Sequence, residues 1–136
     1  MPVRAMLVLT IAASMCGCRS EPKREAQPPL IGWRPLQSFS GRGNTQTESF
    51  NVESTQWRIK WETHSPTTPD AGTFTLVVHS AVSGRPILLA VDGHKGAGKG
   101  LAYVTEDPRL YHLVIESSAV DWSIQVEEAV ISSAKN

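Results

Sequence analysis

Apolar and polar residues alternate with period two through most of this chain. In Gln56 to Glu62, Trp57, Ile59 and Trp61 fall on one side, and Arg58 and Lys60 on the other; just before it, in Glu48 to Val52, Phe50 and Val52 flank Asn51. The alternation returns in Thr73 to His79, where Phe74, Leu76 and Val78 oppose Thr73, Thr75 and His79, and again in Tyr111 to Glu116 and Trp122 to Glu127. A two-residue period puts one face on a core and the other in water, so each stretch predicts a half-buried strand. Ile87 to Val91 is apolar at every position, which predicts a central strand covered on both sides. Leu36 to Ser40 and Leu101 to Val104 are weaker strand candidates.

Turn chemistry separates these stretches: Gly41 to Asn44, Pro66 to Gly72, Ser83-Gly84, Asp92 to Gly100, Asp107-Pro108 and Ser117 to Asp121. About seven or eight strands at this spacing predict an all-β fold, a single antiparallel β-sandwich of jelly-roll or Greek-key type, with a small barrel as the alternative. After Gly32 no eleven-residue stretch carries the helical period without a breaker. Only Ala129 to Lys135 leaves room for a helical turn.

The longest apolar run, Ala5 to Met15, follows Arg4 and ends at Cys16-Gly17-Cys18. A basic start, a short apolar stretch and a small-residue exit make an export signal. The run is roughly half of what a transmembrane helix needs, so an uncleaved anchor is the weaker reading. Met15-Cys16-Gly17-Cys18 resembles the lipobox of bacterial lipoproteins, in which small residues precede a cysteine that is acylated and becomes the new N-terminus. Gly17 meets the requirement for a small residue before the cut, whereas Met15 and Cys16 replace the usual leucine and small residue. The resemblance implies residues 1–17 as signal peptide, lipidation at Cys18, and a membrane partner reached through that lipid. Acylation would also consume the one cysteine left after the cut. A Cys16–Cys18 disulfide would close a strained ring. Ordinary secretion is the alternative address.

Thirteen Lys and Arg balance thirteen Asp and Glu, and loss of Arg4 with the signal leaves the remainder close to neutral. No basic run appears, so the electrostatic footprint of a nucleic-acid partner is missing. Residues 18–32 mix charges with Pro22, Pro28 and Pro29 and predict a disordered, extended tether. Residues 33–130 are left for one domain with one core, followed by a tail at 131–136.

The phrases Phe39-Ser40-Gly41-Arg42-Gly43, Phe50-Asn51-Val52, Trp57 to Trp61, Leu110 to Glu116 and Asp121 to Val126 look like those of small exported bacterial β-sandwich domains, most of them without an assigned function. They are also loosely similar to the pre-peptidase C-terminal sandwiches, non-catalytic modules that accompany secreted enzymes. What this resemblance implies is fold and compartment, with no catalytic motif to transfer.

Gly93 to Lys99 fits the glycine and lysine spacing of a phosphate-binding loop, but Gly100 stands where magnesium binding requires Ser or Thr, and the following LAYV reads as strand rather than helix. A mobile glycine-rich connection is the better reading, and no nucleotide partner is expected. His64, His79, His94 and His112 lie far apart in sequence, which predicts no metal site and places His79 and His112 on solvent faces and the other two in loops. No nucleophile signature is present, the chain left after the cut has no free thiol if Cys18 is acylated, and the adjacent acids Glu106-Asp107 and Glu127-Glu128 should diverge on strands. Trp57, Trp61 and Trp122 share faces with aliphatic residues and read as core; Trp33, beside the tether, is the candidate ligand contact.

Together these features predict a protein that is not an enzyme and needs no cofactor: an exported lipoprotein of the bacterial cell envelope, acting as an accessory, structural or protein-binding module. The loops Ser65 to Ala71 and Asp92 to Gly100 would present backbone to an envelope partner. The alternative is recognition of carbohydrate or cell wall through Trp33 and these loops. Arg19 stands where the lipoprotein family carries an inner-membrane retention aspartate, which implies the outer membrane if the host has one.

Overall fold

The computed structural model describes residues 30–132. The segment expected to be a signal peptide, Cys16, Cys18, most of the expected tether and residues 133–136 lie outside the described residues.

Nine antiparallel strands form two sheets packed face to face. They are β1 (Leu30–Arg42), β2 (Thr45–Gln46), β3 (Phe50–Val52), β4 (Gln56–His64), β5 (Thr73–Ser80), β6 (Pro86–Lys95), β7 (Gly98–Thr105), β8 (Arg109–Ser118) and β9 (Asp121–Ser132). Sheet A has the order β1-β9-β4-β7; in sheet B, β8 pairs β2, β3 and β5, and β5 pairs β6. The all-β sandwich expected from the periodicity is the observed architecture. Most connections carry the chain from one sheet to the other, so neighbours in sequence face each other across the core.

The inward positions of both sheets supply that core. Trp57, Ile59, Val104, Ile124 and Val126 from sheet A meet Phe74, Leu76, Val78, Tyr111, Leu113 and Ile115 from sheet B, nearly all sealed from water. Phe50 anchors an aromatic cluster, its ring edge-on to Trp57 at 5.6 Å, with Tyr111 4.9 Å from Trp57. Two tryptophans compensate for glycines on the edge strands of sheet A. Trp61 of β4 covers Gly100 of β7, and Trp122 of β9 covers Gly41 of β1, leaving 2.7 and 2.9 Å to the ring where a Cβ would stand. Each indole fills the space that a missing side chain leaves open.

Several local expectations change. β6 is an edge strand rather than a central one, and Leu89 is half-exposed. Its apolar outward residues pair with those of β5, Leu89 opposite Val77, where no further layer covers sheet B among the described residues. Ala129 to Ser132 continue β9 instead of turning into helix, because they pair with Leu30 to Trp33. For the same reason β1 begins three residues before Trp33, inside the segment expected to be tether.

The glycine-rich stretch is the clearest correction. Asp92 to Lys95 finish β6, Gly98 begins β7, and only Gly96-Ala97 turn between the sheets. This turn is fixed: Gly96 and Ala97 N–H donate to the carbonyls of Gly72 and Pro69 at 3.0 and 2.8 Å, and the buried Thr63 hydroxyl donates to the Gly96 carbonyl at 2.8 Å. The loop after β4 and the turn before β7 therefore brace each other, and neither is the adaptable connection that its composition suggests.

Candidate functional site

The outer face of sheet A gathers the most distinctive chemistry in the molecule. Its outward residues lie in registered rows across the four strands. Ser40, Ser123, Glu62 and Lys99 form one row, and Ser38, Gln125, Lys60 and Leu101 the next. In the third row Pro35, Glu127, Arg58 and Tyr103 stand side by side. Trp33 lies beyond them, opposite Ala129.

A bulge makes this alignment. The register of β1 against β9 shifts between Pro35 and Gln37. Side chains on a strand alternate, so an extra residue switches which parity faces outward. Trp33 before the bulge and Ser38 and Ser40 after it consequently share one face, while Leu36 packs against the core.

Trp33 is not a loose ring at a tether junction. The Arg58 guanidinium lies 4.2 Å from its ring centroid, and the Tyr103 ring is 6.0 Å away at a 59° tilt. Arg58 Nε in turn donates to Glu127 Oε1 at 2.8 Å, both side chains being more than four-fifths buried. The charged pair thus fixes the indole by cation–π contact. Tyr103 remains 61% exposed and Trp33 half-buried, so the two rings present a partly open aromatic surface.

Beside it the first two rows line an open groove of about 770 Å³. Its outward groups are hydroxyls from Ser38, Ser40 and Ser123, the Gln125 amide, the charges of Lys60, Glu62 and Lys99, and the Leu101 side chain; Phe39, Trp61 and Ile124 also line it. A smaller crevice of about 410 Å³ lies between β1 and residues 45–48.

The histidines are placed differently from expectation. His79 and His112, on adjacent strands of sheet B, stack with ring centroids 5.2 Å apart. His112 is buried at 7% exposure rather than solvent-facing, although it stands on the outward parity of β8, between the inward Tyr111 and Leu113. Burial, reinforced by His79, lowers its pKa from 6.5. His94 sits edge-on to Trp61 at 4.9 Å, and His64 ends β4 in an exposed position. No group of three potential metal-binding side chains converges among the described residues.

Glu127 and Glu128 diverge to opposite faces. Glu127 holds Arg58 outside, whereas Glu128, 2% exposed, pairs with Arg34 and accepts the N–H groups of Glu53 and Ser54 at 3.0 and 3.3 Å. Burial raises its pKa, but these partners outweigh burial and hold it below 4.5. It serves as a cap for the turn between β3 and β4.

Tyr103, Arg58 and Glu127 did not stand out in the sequence, since each belongs to an ordinary alternating stretch and meets Trp33 only through strand order. No protein-family model, curated protein or solved structure matches this chain.

Proposed function

We propose that this chain is a non-catalytic binding module of the bacterial cell envelope, exported, anchored by lipid on Cys18 and working through the outer face of sheet A. The observation that carries the binding reading is the Trp33–Arg58–Tyr103–Glu127 assembly beside an open groove of mixed polar and apolar lining. An indole fixed by a largely buried ion pair, next to a half-exposed phenol, is an arrangement that folding alone does not demand. The sandwich interior is filled by side chains, which favours a surface ligand over an enclosed one.

The lipobox resemblance supports the address. From Cys18 to Leu30 the chain reaches at most about 40 Å when fully extended, enough to hold the domain clear of a lipid surface. With Arg19 after the lipidated cysteine, the outer membrane is the destination in a host that has one; release into the medium is the alternative.

Mass spectrometry of the mature protein recovered from membranes tests the anchor. A diacyl or triacyl mass on Cys18, lost in Cys18→Ser and kept in Cys16→Ser, is expected. An unlipidated N-terminus found in the medium would overturn it.

A further inference from the structure

We propose that the outer face of sheet A binds a linear glycan laid along the strands, sugar rings stacked on Trp33 and Tyr103 and hydroxyls bonded within the groove. This inference rests on the reading of that face as the binding face, and adds the class of ligand.

The two regions offer complementary chemistry. A pyranose ring has an apolar C–H face and a rim of hydroxyls, which matches a flat aromatic surface bordered by short donors and acceptors. Trp33 and Tyr103 supply the first, and Ser123, Gln125, Lys60 and Glu62 the second. From the row of Ser40 to Trp33's partner Ala129 is six residues along β9, about 20 Å at the rise of an extended strand, so a chain of several sugars spans both regions.

Competing ligands fit less well. Nucleic acid calls for unbalanced positive charge, whereas Arg58, Lys60 and Lys99 are offset by Glu62 and Glu127. An amphipathic helix or a lipid surface calls for contiguous apolar area, whereas the apolar residues that line the groove, Phe39, Trp61, Leu101 and Ile124, are interleaved with serines, Gln125, Lys60, Glu62 and Lys99. A partner strand would pair with an edge, β1 or β7, not with this face.

Preorganisation strengthens the case. The ion pair between Arg58 and Glu127 already holds the Trp33 ring before any ligand arrives, so little side-chain freedom is lost on stacking.

Detergent-extracted full-length protein is sedimented with peptidoglycan sacculi, insoluble chitin and cellulose, and titrated with soluble chitin and cellulose oligomers while tryptophan emission is recorded. Binding to at least one of these is expected, weakened about tenfold or more by Tyr103→Ala and by Trp33→Ala. Unchanged melting temperature in Tyr103→Ala, whose ring is mostly exposed, separates lost contact from lost fold. His79→Ala, on the opposite sheet, should bind normally. Failure to bind any of the glycans, or binding that both aromatic variants leave intact, overturns the inference. A photo-crosslinker at Ser123 or Gln125 then tells the two readings apart. If it captures an envelope protein in place of glycan, the face survives as a binding face and the glycan is wrong; if it captures nothing, the face itself is wrong.

Discussion

His79 and His112 stand directly opposite one another on β5 and β8, their rings stacked 28° from parallel. Burial of His112, and then the neighbouring His79, favour its neutral form, so its pKa in the folded protein lies below 6.5. The unfolded chain therefore binds the proton more readily than the native one. Stability is full above about pH 6.5 and falls as pH drops from there through the folded value. Urea midpoints measured across this range should decline on acidification. His112→Gln should flatten the decline, and His79→Ala should reduce it.

Glu128 adds a second, more acidic window. Its depressed pKa means stability present above 4.5 and lost as pH falls through the folded value. Glu128→Ala strands two backbone N–H groups and one arginine, at a cost of about 2–3 kcal/mol. Arg34→Ala should cost more, about 3 kcal/mol, since it leaves the carboxylate of Glu128, 2% exposed, without its charged partner. Denaturant unfolding of the two variants resolves the difference.

Two glycines in one motif should respond unequally. Gly93 and Gly96 both have positive φ, 59° and 73°, but a Cβ on Gly93 meets nothing, whereas one on Gly96 runs into the Pro69 carbonyl and Asp70. Gly93→Ala should cost about 1 kcal/mol from the left-handed backbone alone. Gly96→Ala should cost about 3 kcal/mol or more, because the brace between loop and turn must open. Comparison of their melting temperatures checks the order.

Ala119, in the turn from β8 to β9, has φ 56° and is the one non-glycine residue in that region of the backbone among the described residues. Replacing it by glycine removes the Cβ conflict, and Ala119→Gly should stabilise the protein by about 1 kcal/mol, seen as a raised melting temperature.

The fold was legible where side-chain periodicity reports burial. Trp57-Arg58-Ile59 and Phe74-Thr75-Leu76 alternate as their exposures do, and the inward residues became the core. β2 escaped notice because two residues are too short to show a period. Ile87 to Val91 misled because apolar residues on both faces signal two covering layers only where a second layer exists. Asp92 to Gly100 misled because glycine marks close approach as well as mobility, and the atoms approached, Pro69 and Asp70, are distant in sequence. Trp33 was singled out from sequence, but its setting was not: Arg58, Tyr103 and Glu127 reach it through the strand order β1-β9-β4-β7 and a bulge that no local pattern announces.

The pairing of Leu30 with Ser132 decides how the domain responds to being pulled. β1 is an edge strand held by β9 through twelve registered residue pairs. A force on Leu30 directed along β1 and resisted by the rest of sheet A loads all its rungs in shear together. The same force resisted at the chain's other end starts at the first rung and unzips the pair one step at a time. Trp33, reaching over β9 to Arg58 on β4, ties the loaded strand to the next but one near the point where tension arrives. The β1–β9 pair therefore resists load directed along the strand and yields to load that pulls Leu30 away from Ser132.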